Sequence, residues 1–494
     1  MNPSPFPQYK RFKLFNKIEP TMDEDGRQVS RQSNLYFNLD HINIVDMKLS
    51  KDTIFILGRV IKTPDENEEC KLDLTNQLGK PFIFKYYGSQ LLDQYELYDR
   101  DILAFEVLNF SRSNYIISFG KDLSMEYGLN TKLKIHDITD CVDPNRNDNK
   151  PRELFSQVLM CQGTGNGMSI LFEQKHFDDV MLDDITMIRS TEDMSAIALV
   201  SDKKVIFLMC KGTAIWKCSE EDIDVVLFYG SGGAMITNVI IRNKEEYVIE
   251  GVKHKTISFY YTSTEGVFYG TVHSNTCLIE VEKVRNVSGI QKNCLLLESN
   301  ELIVASIVTQ SIIVIESGKV KHEYPFQGVI TYLHKYKHYL CFCLTFDSSY
   351  FLGMFDPKVN IFQYYEETGD EVKYILSNAN TFMYLVKKNE VEENKQEKEK
   401  ETEGKNGEDN KKKKNDEILT KVNALKEKDD KEKFNIFYSK QFYDCAVNYA
   451  ISLRYTPKQV FTIRLLYADY LYEKKYYEKA IDQYVHTINY LDWV

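Results

Sequence analysis

The residues Lys433–Val494 read KFNIFYSKQFYDCAVNYAISLRYTPKQVFTIRLLYADYLYEKKYYEKAIDQYVHTINYLDWV. Apolar residues recur in this stretch every three or four positions, which is the spacing of amphipathic helices. At Thr456-Pro457 a helix-capping side chain precedes a proline suited to the first helical position, so a helix is predicted to begin there. The stretch therefore predicts helix–turn–helix units of an α-solenoid. Three apolar sets carry this prediction: Phe442, Ala446, Tyr449, Ala450 and Leu453; Val460, Ile463, Tyr467, Tyr470 and Leu471; and Tyr477, Ala480, Ile481, Tyr484 and Ile488.

A single helical hairpin of a solenoid cannot bury its own apolar face, which a neighbouring repeat must cover. The last of these helices carries an apolar stripe, and the sequence ends a few residues later at Trp493-Val494. We therefore expect either that the stripe meets a partner or that the chain is a shortened version of a longer protein.

The composition of the 494 residues suits a globular protein of two or three domains. Its formal net charge of −11 argues against a nucleic-acid-binding protein, which is usually basic. No run approaches the ~18 consecutive apolar residues of a transmembrane helix, and the N-terminus lacks the apolar core of a signal peptide. We therefore expect no nucleic-acid partner and no membrane-spanning helix.

Short apolar runs alternate with turn residues from about Tyr9 to Lys387, as in strand-rich proteins. The segments 195–209 and 301–320 share one layout, in which a strand, a polar turn and a second strand follow each other. This layout is typical of the inner hairpin of a propeller blade, although no Trp-Asp dipeptide is present. At roughly 40–50 residues per blade, seven blades fit the available length, and six or eight blades also fit.

These patterns predict a mainly β chain with a C-terminal α part. The expected architecture is a seven-bladed, WD40-like β-propeller followed by the first helical hairpins of an α-solenoid. The predicted strands include Arg11–Phe15, Thr53–Val60, Ser169–Phe172, Ala196–Val200, Val205–Met209, Ile303–Ser306, Ser311–Glu316 and Phe382–Val386.

The tract Lys387–Glu417 is almost entirely charged or polar and contains one aliphatic residue, Val391. Such a composition cannot bury enough apolar surface to fold. Strand-like sequence stands on both sides of the tract, at Met383–Val386 and from Ile418 to Leu425. The tract is therefore predicted to be a disordered loop inside the last blade. The propeller would then span residues 1–430, and the truncated start of the solenoid would span residues 431–494.

The ten cysteines are scattered and form no Cys-x-x-Cys pair, which argues against the usual zinc and thioredoxin motifs. Cys341 and Cys343 are two positions apart in an apolar run, so both would lie on one face of a strand. We expect the cysteines to be buried free thiols in a reducing cytosol.

The sequence shows no motif for catalysis, a cofactor or a metal. Residues 161–167 are glycine-rich, but strand-like residues follow where a dinucleotide-binding loop needs a helix. The acidic cluster at 178–184 lacks the spacing and the glycine of a calcium loop. His334 and His338 stand at a turn between strands, where packing or surface roles are expected. We therefore expect no catalytic, cofactor or metal residues and a chain that is not an enzyme.

An enzymatic alternative is a propeller hydrolase, and a related one is a ubiquitin-ligase adaptor. A hydrolase would need a polar cluster with perturbed pKa values in the central channel of the propeller. The sequence does not reveal such a cluster.

The tyrosine-rich end of the chain is the candidate partner-binding region. Tyr and Trp are enriched among the anchors of protein interfaces. The alternative is that these side chains pack helix against helix. The candidate partner-binding residues are Tyr472, Tyr476, Tyr477, Tyr484 and Trp493.

The start of the helical stretch resembles the vacuolar protein sorting-associated protein 11 family, a shared core subunit of the HOPS and CORVET membrane-tethering complexes. The similarity is most specific from NALKEKDDKEKFNIFYSKQFYDCAVNYAISL, which begins at Asn423, through YADYLYEKKYYEKAIDQYVHTINYL, which ends at Leu491. A weaker match, QYKRFKLFNK, begins at Gln8. The positions that match the family's helical run are Asp469, Leu471, Tyr472, Lys474, Ala480, Gln483, Tyr484, Thr487 and Ile488.

The resemblance implies a non-catalytic scaffold in endosome-to-vacuole or lysosome tethering, docking and fusion, and in vesicle-mediated protein transport. It implies other class C vacuolar sorting subunits of HOPS and CORVET as partners, with Rab GTPases and SNAREs engaged indirectly. The chain would then be cytoplasmic, on the cytosolic face of late endosome, vacuole or lysosome membranes, and attached peripherally through the complex.

This sequence departs from the family in two ways. The family continues through several hundred further solenoid residues to a RING zinc domain, and this sequence contains neither, so no zinc site or ubiquitin-ligase role is carried over. The charged tract at 387–417 is the second departure. The alternative class is another propeller–solenoid coat subunit of the clathrin-like, intraflagellar-transport or nuclear-pore type.

Overall fold

The computed structural model of the chain describes residues 9–18, 42–50, 53–60, 79–87, 90–110, 113–124, 128–139, 151–162, 182, 184–210, 214–219, 222–230, 234–249, 252–273, 278–285, 290–296, 301–316, 319–377, 382–387 and 420–488. Within these ranges the strands form seven sheets of four neighbouring strands, one of which is joined by a fifth strand. Radial repetition of four-stranded sheets is the architecture of a β-propeller. The predicted seven-bladed fold is therefore confirmed.

Six blades are formed by strands that are consecutive along the chain. Blade 1 comprises β3 (Ile42–Ser50), β4 (Thr53–Val60), β5 (Pro81–Tyr87) and β6 (Gln90–Tyr95), and blade 2 comprises β7 (Asp101–Phe110), β8 (Ser113–Ser124), β9 (Gly128–Asp137) and β10 (Arg152–Gln162). Blade 3 comprises β11 (Met187–Ser190), β12 (Ala196–Val200), β13 (Lys204–Cys210) and β14 (Ile223–Tyr229), and blade 4 comprises β15 (Ile236–Ile249), β16 (Val252–Ser263), β17 (Gly266–His273) and β18 (Ile279–Arg285). Blade 5 comprises β19 (Ile290–Leu296), β20 (Leu302–Ser306), β21 (Ser311–Glu316) and β22 (Lys319–Pro325), and blade 6 comprises β23 (Val329–Tyr336), β24 (Tyr339–Phe346), β25 (Ser349–Asp356) and β26 (Ile361–Glu367).

The N-terminal residues of the chain complete the last two blades. Strand β1 (Lys10–Arg11) pairs in parallel with β26 of blade 6, with Lys10 opposite Ile361. Blade 7 has the strand order β2 (Phe15–Ile18), β29 (Thr420–Glu427), β28 (Phe382–Lys387) and β27 (Val372–Ser377). Strands β28 and β29 are therefore neighbours in one sheet, although the charged tract separates them along the chain.

The first strand of each blade belongs to a closed inner ring. Strands β3, β7, β11, β15, β19, β23 and β27 each contact the next in this order, and β27 contacts β3. At this last contact the hydroxyl of Tyr374 donates a hydrogen bond of 2.8 Å to the carbonyl of Val45. The ring brings residues from distant parts of the sequence to one central channel.

Apolar side chains from facing blades form the core. Between blades 3 and 4, the rings of Phe207 and Phe259 have centroids 4.9 Å apart, and both residues are fully buried. A Cβ atom at Gly270 would lie 2.5 Å from the ring of Phe259, so glycine is needed for this close approach. Gly270 is the cross-strand neighbour of Phe259 within blade 4, so the ring that packs against blade 3 lies directly over this glycine.

A buried charged network lies inside blade 2. The carboxylate of Asp122 lies 2.7 Å from Lys134 Nζ and 3.2 Å from Lys132 Nζ. Lys134 Nζ stands 4.4 Å from the ring centroid of Tyr98, whose hydroxyl donates to the carbonyl of Ser118 at 2.7 Å. Burial alone would raise the pKa of Asp122, but its hydrogen bonds with Lys134 and the amide of Asp99 outweigh this effect and lower it.

The chain divides into two compact units, residues 1–11 with 19–424 and residues 12–18 with 425–494. The second unit contains four helices among its described residues: α1 (Asp430–Ser439), α2 (Tyr443–Ser452), α3 (Pro457–Glu473) and α4 (Tyr477–Val485). No helix in the described ranges is long and apolar enough to cross a membrane.

Two expectations from the sequence were wrong. The predicted strand Arg11–Phe15 is interrupted, because Phe12 and Leu14 are buried and the chain leaves the strand conformation between β1 and β2. The cysteines are not all free: Cys210 and Cys218 form a disulfide, since the 3₁₀ turn Ile215–Lys217 returns the chain towards the end of β13. The predicted strand Ser169–Phe172 lies outside the described residues.

Candidate partner-binding surface

The helices of the second unit begin with capping side chains. Asp429 accepts a hydrogen bond of 2.7 Å from the amide of Glu432 and so caps α1. Thr456 and Gln459 form a reciprocal capping box at the start of α3, with Pro457 in the first helical position. The predicted start of this helix is confirmed.

The first three helices end in the same way. After α1 the amide of Phe442 donates to the carbonyl of Phe437, after α2 that of Tyr455 donates to Ala450, and after α3 that of Tyr476 donates to Leu471. In each case the preceding residue has a positive φ, and its amide donates the second hydrogen bond of a Schellman motif to the carbonyl three residues earlier. These preceding residues are Gln441, Arg454 and Lys475. The same C-terminal motif after three successive helices is typical of a helical repeat.

One face of α4 is buried against α3. Ala480 is fully buried, and the Oε1 atom of Gln483 accepts a hydrogen bond of 2.9 Å from Arg464. The hydroxyl of Tyr484 donates to Asp469 at 2.5 Å, and this hydrogen bond raises the pKa of Tyr484 to about 12. Residues from both helices therefore hold this side of α4 in place.

A second side of α4, next to the buried one, is apolar and exposed. Ile481 and Val485 are 59% and 56% exposed, and Tyr477 and Ile488 are about half exposed. The ring of Tyr472, from α3, lies with its centroid 5.2 Å from that of Tyr477 and extends the same surface. We call Tyr472, Tyr477, Ile481, Val485 and Ile488 the terminal apolar face.

The structure places the candidate partner-binding tyrosines in different settings. Tyr472, Tyr476 and Tyr477 are exposed, whereas Tyr484 is half-buried and turned towards Asp469. Trp493 lies outside the described residues. Ile481 and Ile488 belong to the apolar stripe that the sequence predicted for this helix, whereas Val485 was not predicted, although its spacing of four from Ile481 and three from Ile488 marks the same helix face.

Other tyrosines of this region pack between helices. The ring of Tyr443 in α2 lies 6.1 Å from that of Tyr467 and 5.6 Å from that of Tyr470, both in α3. The packing alternative therefore holds for these residues, and aromatic content alone does not identify a surface.

The enzymatic alternative requires a polar cluster in the central channel of the propeller. A cavity of about 390 Å³ lies between β3, β7, β11, β15, β23 and β27. The charged groups at its wall are paired, with Arg189 at 3.1 Å from Glu106 and Lys48 at 3.4 Å from Asp46. Because these charges cancel, the channel offers little net charge to a ligand.

His334 also lines this channel. Its Nε2 atom lies 2.8 Å from the hydroxyl of Ser377, and burial lowers the pKa of His334 to about 4. A hydrolytic Ser–His pair needs a third group that orients the histidine and donors for an oxyanion. Within the described ranges no carboxylate contacts His334, so the pair has the character of a packing contact.

The described members of the remaining motifs that the sequence singled out form no site. Asp184 pairs with Lys204 at 3.0 Å, while residues 178, 179 and 183 and the glycines of 163–167 lie outside the described residues. Cys341 and Cys343 are buried on β24, where burial raises the pKa of both thiols. Among the residues that the structure describes, no group of three His, Cys, Asp or Glu side chains could hold a metal ion.

A short part of this chain is similar in sequence to a known protein. A RING finger protein of Plasmodium falciparum (isolate 3D7), PFE0100w, is 41% identical over 69 residues, which cover 14% of this chain and 5% of that protein. The match thus spans about a twentieth of the length of the relative. No family model matches the chain.

Solved propellers were also found. Sqt1 from Saccharomyces cerevisiae is 8% identical, with a TM-score of 0.41, and covers 72% of this chain and 83% of its own. BamB from Moraxella catarrhalis is 11% identical, with a TM-score of 0.35, and covers 75% of this chain and 96% of its own. The fold assignment does not depend on these distant likenesses but on the strand order and the inner ring. The class that the structure defines is a β-propeller followed by helical hairpins.

Proposed function

We propose that this chain is a non-catalytic scaffold subunit of a membrane-tethering complex that acts in vesicle transport to the endosome, vacuole or lysosome. Its partners would be other class C vacuolar sorting subunits of the HOPS and CORVET type. Membrane attachment would be peripheral and would come from the complex.

The observation that carries this proposal is the terminal apolar face. Ile481 and Val485 stand on a helix whose other side is fixed by Ala480 and Tyr484, so the face is rigid and exposed. Exposed apolar area on a rigid helix is typical of assembly surfaces rather than of reaction sites. In a helical repeat array, this is the side on which the next helical element stacks.

Two further observations support the choice of complex. The residues that resemble the vacuolar sorting family include Leu471, Ala480 and Thr487, all of which are buried in the helical unit. The Plasmodium falciparum relative is called a RING finger protein, and the family that the sequence resembles ends in a RING domain.

The proposal is tested by affinity purification of the tagged chain from its own cells, with the co-purified proteins identified by mass spectrometry. The wild-type chain is expected to recover class C vacuolar sorting subunits. The double variant Ile481→Asp/Val485→Asp is expected to lose them, because two charges would be buried in the interface. The matched control is Glu478→Ser/Asp482→Ser, which changes two exposed polar positions of the same helix.

The outcomes separate the competing functions. Recovery of clathrin-like, intraflagellar-transport or nuclear-pore subunits in place of the vacuolar sorting subunits would overturn the tethering assignment in favour of another coat. Equal recovery of vacuolar sorting subunits by the wild type and the Ile481→Asp/Val485→Asp variant would show that the terminal apolar face is not the assembly surface.

A further inference from the structure

A groove between blades 5 and 6 is rich in positive charge. The cavity has a volume of about 670 Å³, which is within the size range of small-molecule sites. The lysines and histidines among its lining residues are Lys321, His322, Lys335, Lys337, His338 and Lys358. We call this cavity the inter-blade groove.

The groove lies at one end of the two blades. Lys337 and His338 form the two-residue turn between β23 and β24, and Lys358 belongs to the turn between β25 and β26. Lys321 and His322 come from β22 of the neighbouring blade. Three separate segments thus direct side chains into one cavity, and this convergence does not follow from a local run of lysines.

Acidic residues lie close to Lys321 and His338 of the groove. Lys321 lies 2.6 Å from Glu301 and 3.1 Å from Glu316, so its charge is balanced within blade 5. On the blade 6 side, Asp356 lies 3.4 Å from His338 and accepts a hydrogen bond from the amide of Lys358. Among the described residues, no carboxylate lies within ion-pair distance of the side chains of Lys335 or Lys358.

The charge of the lining contrasts with that of the whole chain. Four lysines and one glutamate, Glu301, line the groove and give a balance of +3 with neutral histidines, whereas the chain has a net charge of −11. The floor is apolar and includes Ile303, Val314 and Leu340. An apolar floor lowers the local dielectric constant and strengthens the attraction of an anion to the lysines at the rim.

We propose that the inter-blade groove binds a compact ligand that carries two or more phosphate groups. Lysine ammonium groups act as point charges that suit phosphate oxygens. The size of the cavity suits a phosphorylated ring or a short phosphate chain. Such a ligand could come from two sources, a soluble phosphate ester or a phosphoinositide headgroup on a membrane. The assignment is independent of the proposed tethering function.

The test uses the full-length chain and two probes. Inositol hexakisphosphate is titrated calorimetrically, and vesicles of phosphatidylcholine with or without a phosphatidylinositol bisphosphate are used in sedimentation. The variant Lys335→Gln/Lys358→Gln is expected to weaken binding of inositol hexakisphosphate at least about tenfold, because two charge-assisted contacts are removed. The control Lys203→Gln/Lys217→Gln removes the same charge from exposed lysines of blade 3 and its neighbouring turn and is expected to bind like the wild type.

The probes separate the two sources of phosphate. Binding to inositol hexakisphosphate together with vesicles that contain the bisphosphate supports a headgroup site, and binding to inositol hexakisphosphate alone supports a soluble ligand. Equal binding by the two double variants would overturn the proposal. So would a polyglutamate peptide that competes as well as inositol hexakisphosphate, because the groove would then select acidic polypeptide chains. Equal thermal unfolding midpoints of the variants would show that both are folded.

Discussion

Strand β13 and helix α4 are both rich in apolar residues, but they differ in burial. All seven residues of β13 are buried, whereas Ala480 is the only buried residue of the nine in α4. Strand β13 lies in the interior of blade 3, between β12 and β14, and its side chains pack against neighbouring blades on both sides of the sheet. Within its described unit, α4 packs on one side only.

The difference shows that apolar sequence is buried in one part of this chain and exposed in another. In the propeller, apolar side chains stabilise the fold, because each sheet has a neighbour on both faces. On the terminal apolar face the exposed side chains are expected to contribute little to the fold, and we propose that they contact a partner. Mutations in the propeller core should therefore lower the stability of the fold, whereas mutations on the terminal apolar face should change partner binding.

The largest effect is expected in the propeller core. Phe207→Ala should lower the free energy of unfolding by ~3–5 kcal/mol, because it removes a buried ring that packs on Phe259 and leaves a cavity. Urea-induced unfolding measures this value. The control is Tyr229→Ala at an exposed position of the same blade, which should change the value by less than ~0.5 kcal/mol. Equal losses from both variants would contradict a dominant role for the interface between blades 3 and 4.

The next effect concerns pH. His136 is buried in blade 2, and burial together with the nearby charge of Lys134 lowers its pKa to about 4. The unfolded chain takes up this proton below about pH 6.5, and the folded chain only below about pH 4. Stability is therefore lost as the pH falls through this window, by up to about 3 kcal/mol.

Unfolding measured at several pH values between 7 and 4.5 tests this dependence. His136→Gln cannot take up the proton and should flatten the slope, whatever its stability at neutral pH. Adding His334→Gln should flatten the slope further, because burial also lowers the pKa of His334 to about 4. A slope that both variants leave unchanged would show that these histidines do not carry the acid sensitivity.

A matched pair of substitutions on α4 separates its two sides. Ala480→Leu should destabilise the helical unit by ~1–3 kcal/mol, because the added atoms have no space against α3. Ile481→Ser, at the next position, should change stability by less than ~0.5 kcal/mol, because Ile481 is 59% exposed. Amide hydrogen exchange in α3 and α4 measures both changes in stability. A larger loss from Ile481→Ser would mean that the terminal apolar face is covered within the chain itself.

The smallest effect is expected at a helix start. Thr456→Ala removes the side chain that caps α3 and should cost about 1 kcal/mol of local stability. Thr462→Ala, in the exposed part of the same helix, is the control and should be neutral, since alanine favours the helix. Hydrogen exchange of the amides in the first turn of α3 gives the comparison, and equal exchange in the two variants would contradict the capping role.

Local patterns predicted much of this fold. The hairpins of β12 with β13 and of β20 with β21 follow from alternating apolar residues around a polar turn, and the start of α3 follows from Thr456-Pro457. The break between β1 and β2 could not be seen in the same way. It depends on the burial of Phe12, whose ring lies 4.8 Å from that of Phe437 near the other end of the sequence.

The sites were less predictable than the fold, for the same reason. The Schellman endings use Gln441, Arg454 and Lys475 in place of the glycine that would mark them in a sequence. The lysines of the inter-blade groove come from β22, the end of β23 and two turns, so only the packing of two blades brings them together. The tyrosine-rich composition indicated that tyrosines such as Tyr472 could bind a partner. Whether a given tyrosine is exposed or packed between helices depends on the position of the neighbouring helix, which composition does not show.

The parallel pairing of Lys10 with Ile361 has a consequence for the synthesis of the protein. About 350 residues separate the two partners, so closing this loop costs of order 5 kcal/mol of chain entropy. At roughly 5–20 residues per second, a ribosome needs on the order of 20–70 s to deliver the second partner after the first. During that interval the N-terminal strand has no partner in β26, and newly made blades have exposed edges that a chaperone could protect. The pairing of the N-terminal strand with the outer edge of blade 6 is thus one of the later contacts to form during synthesis of the protein.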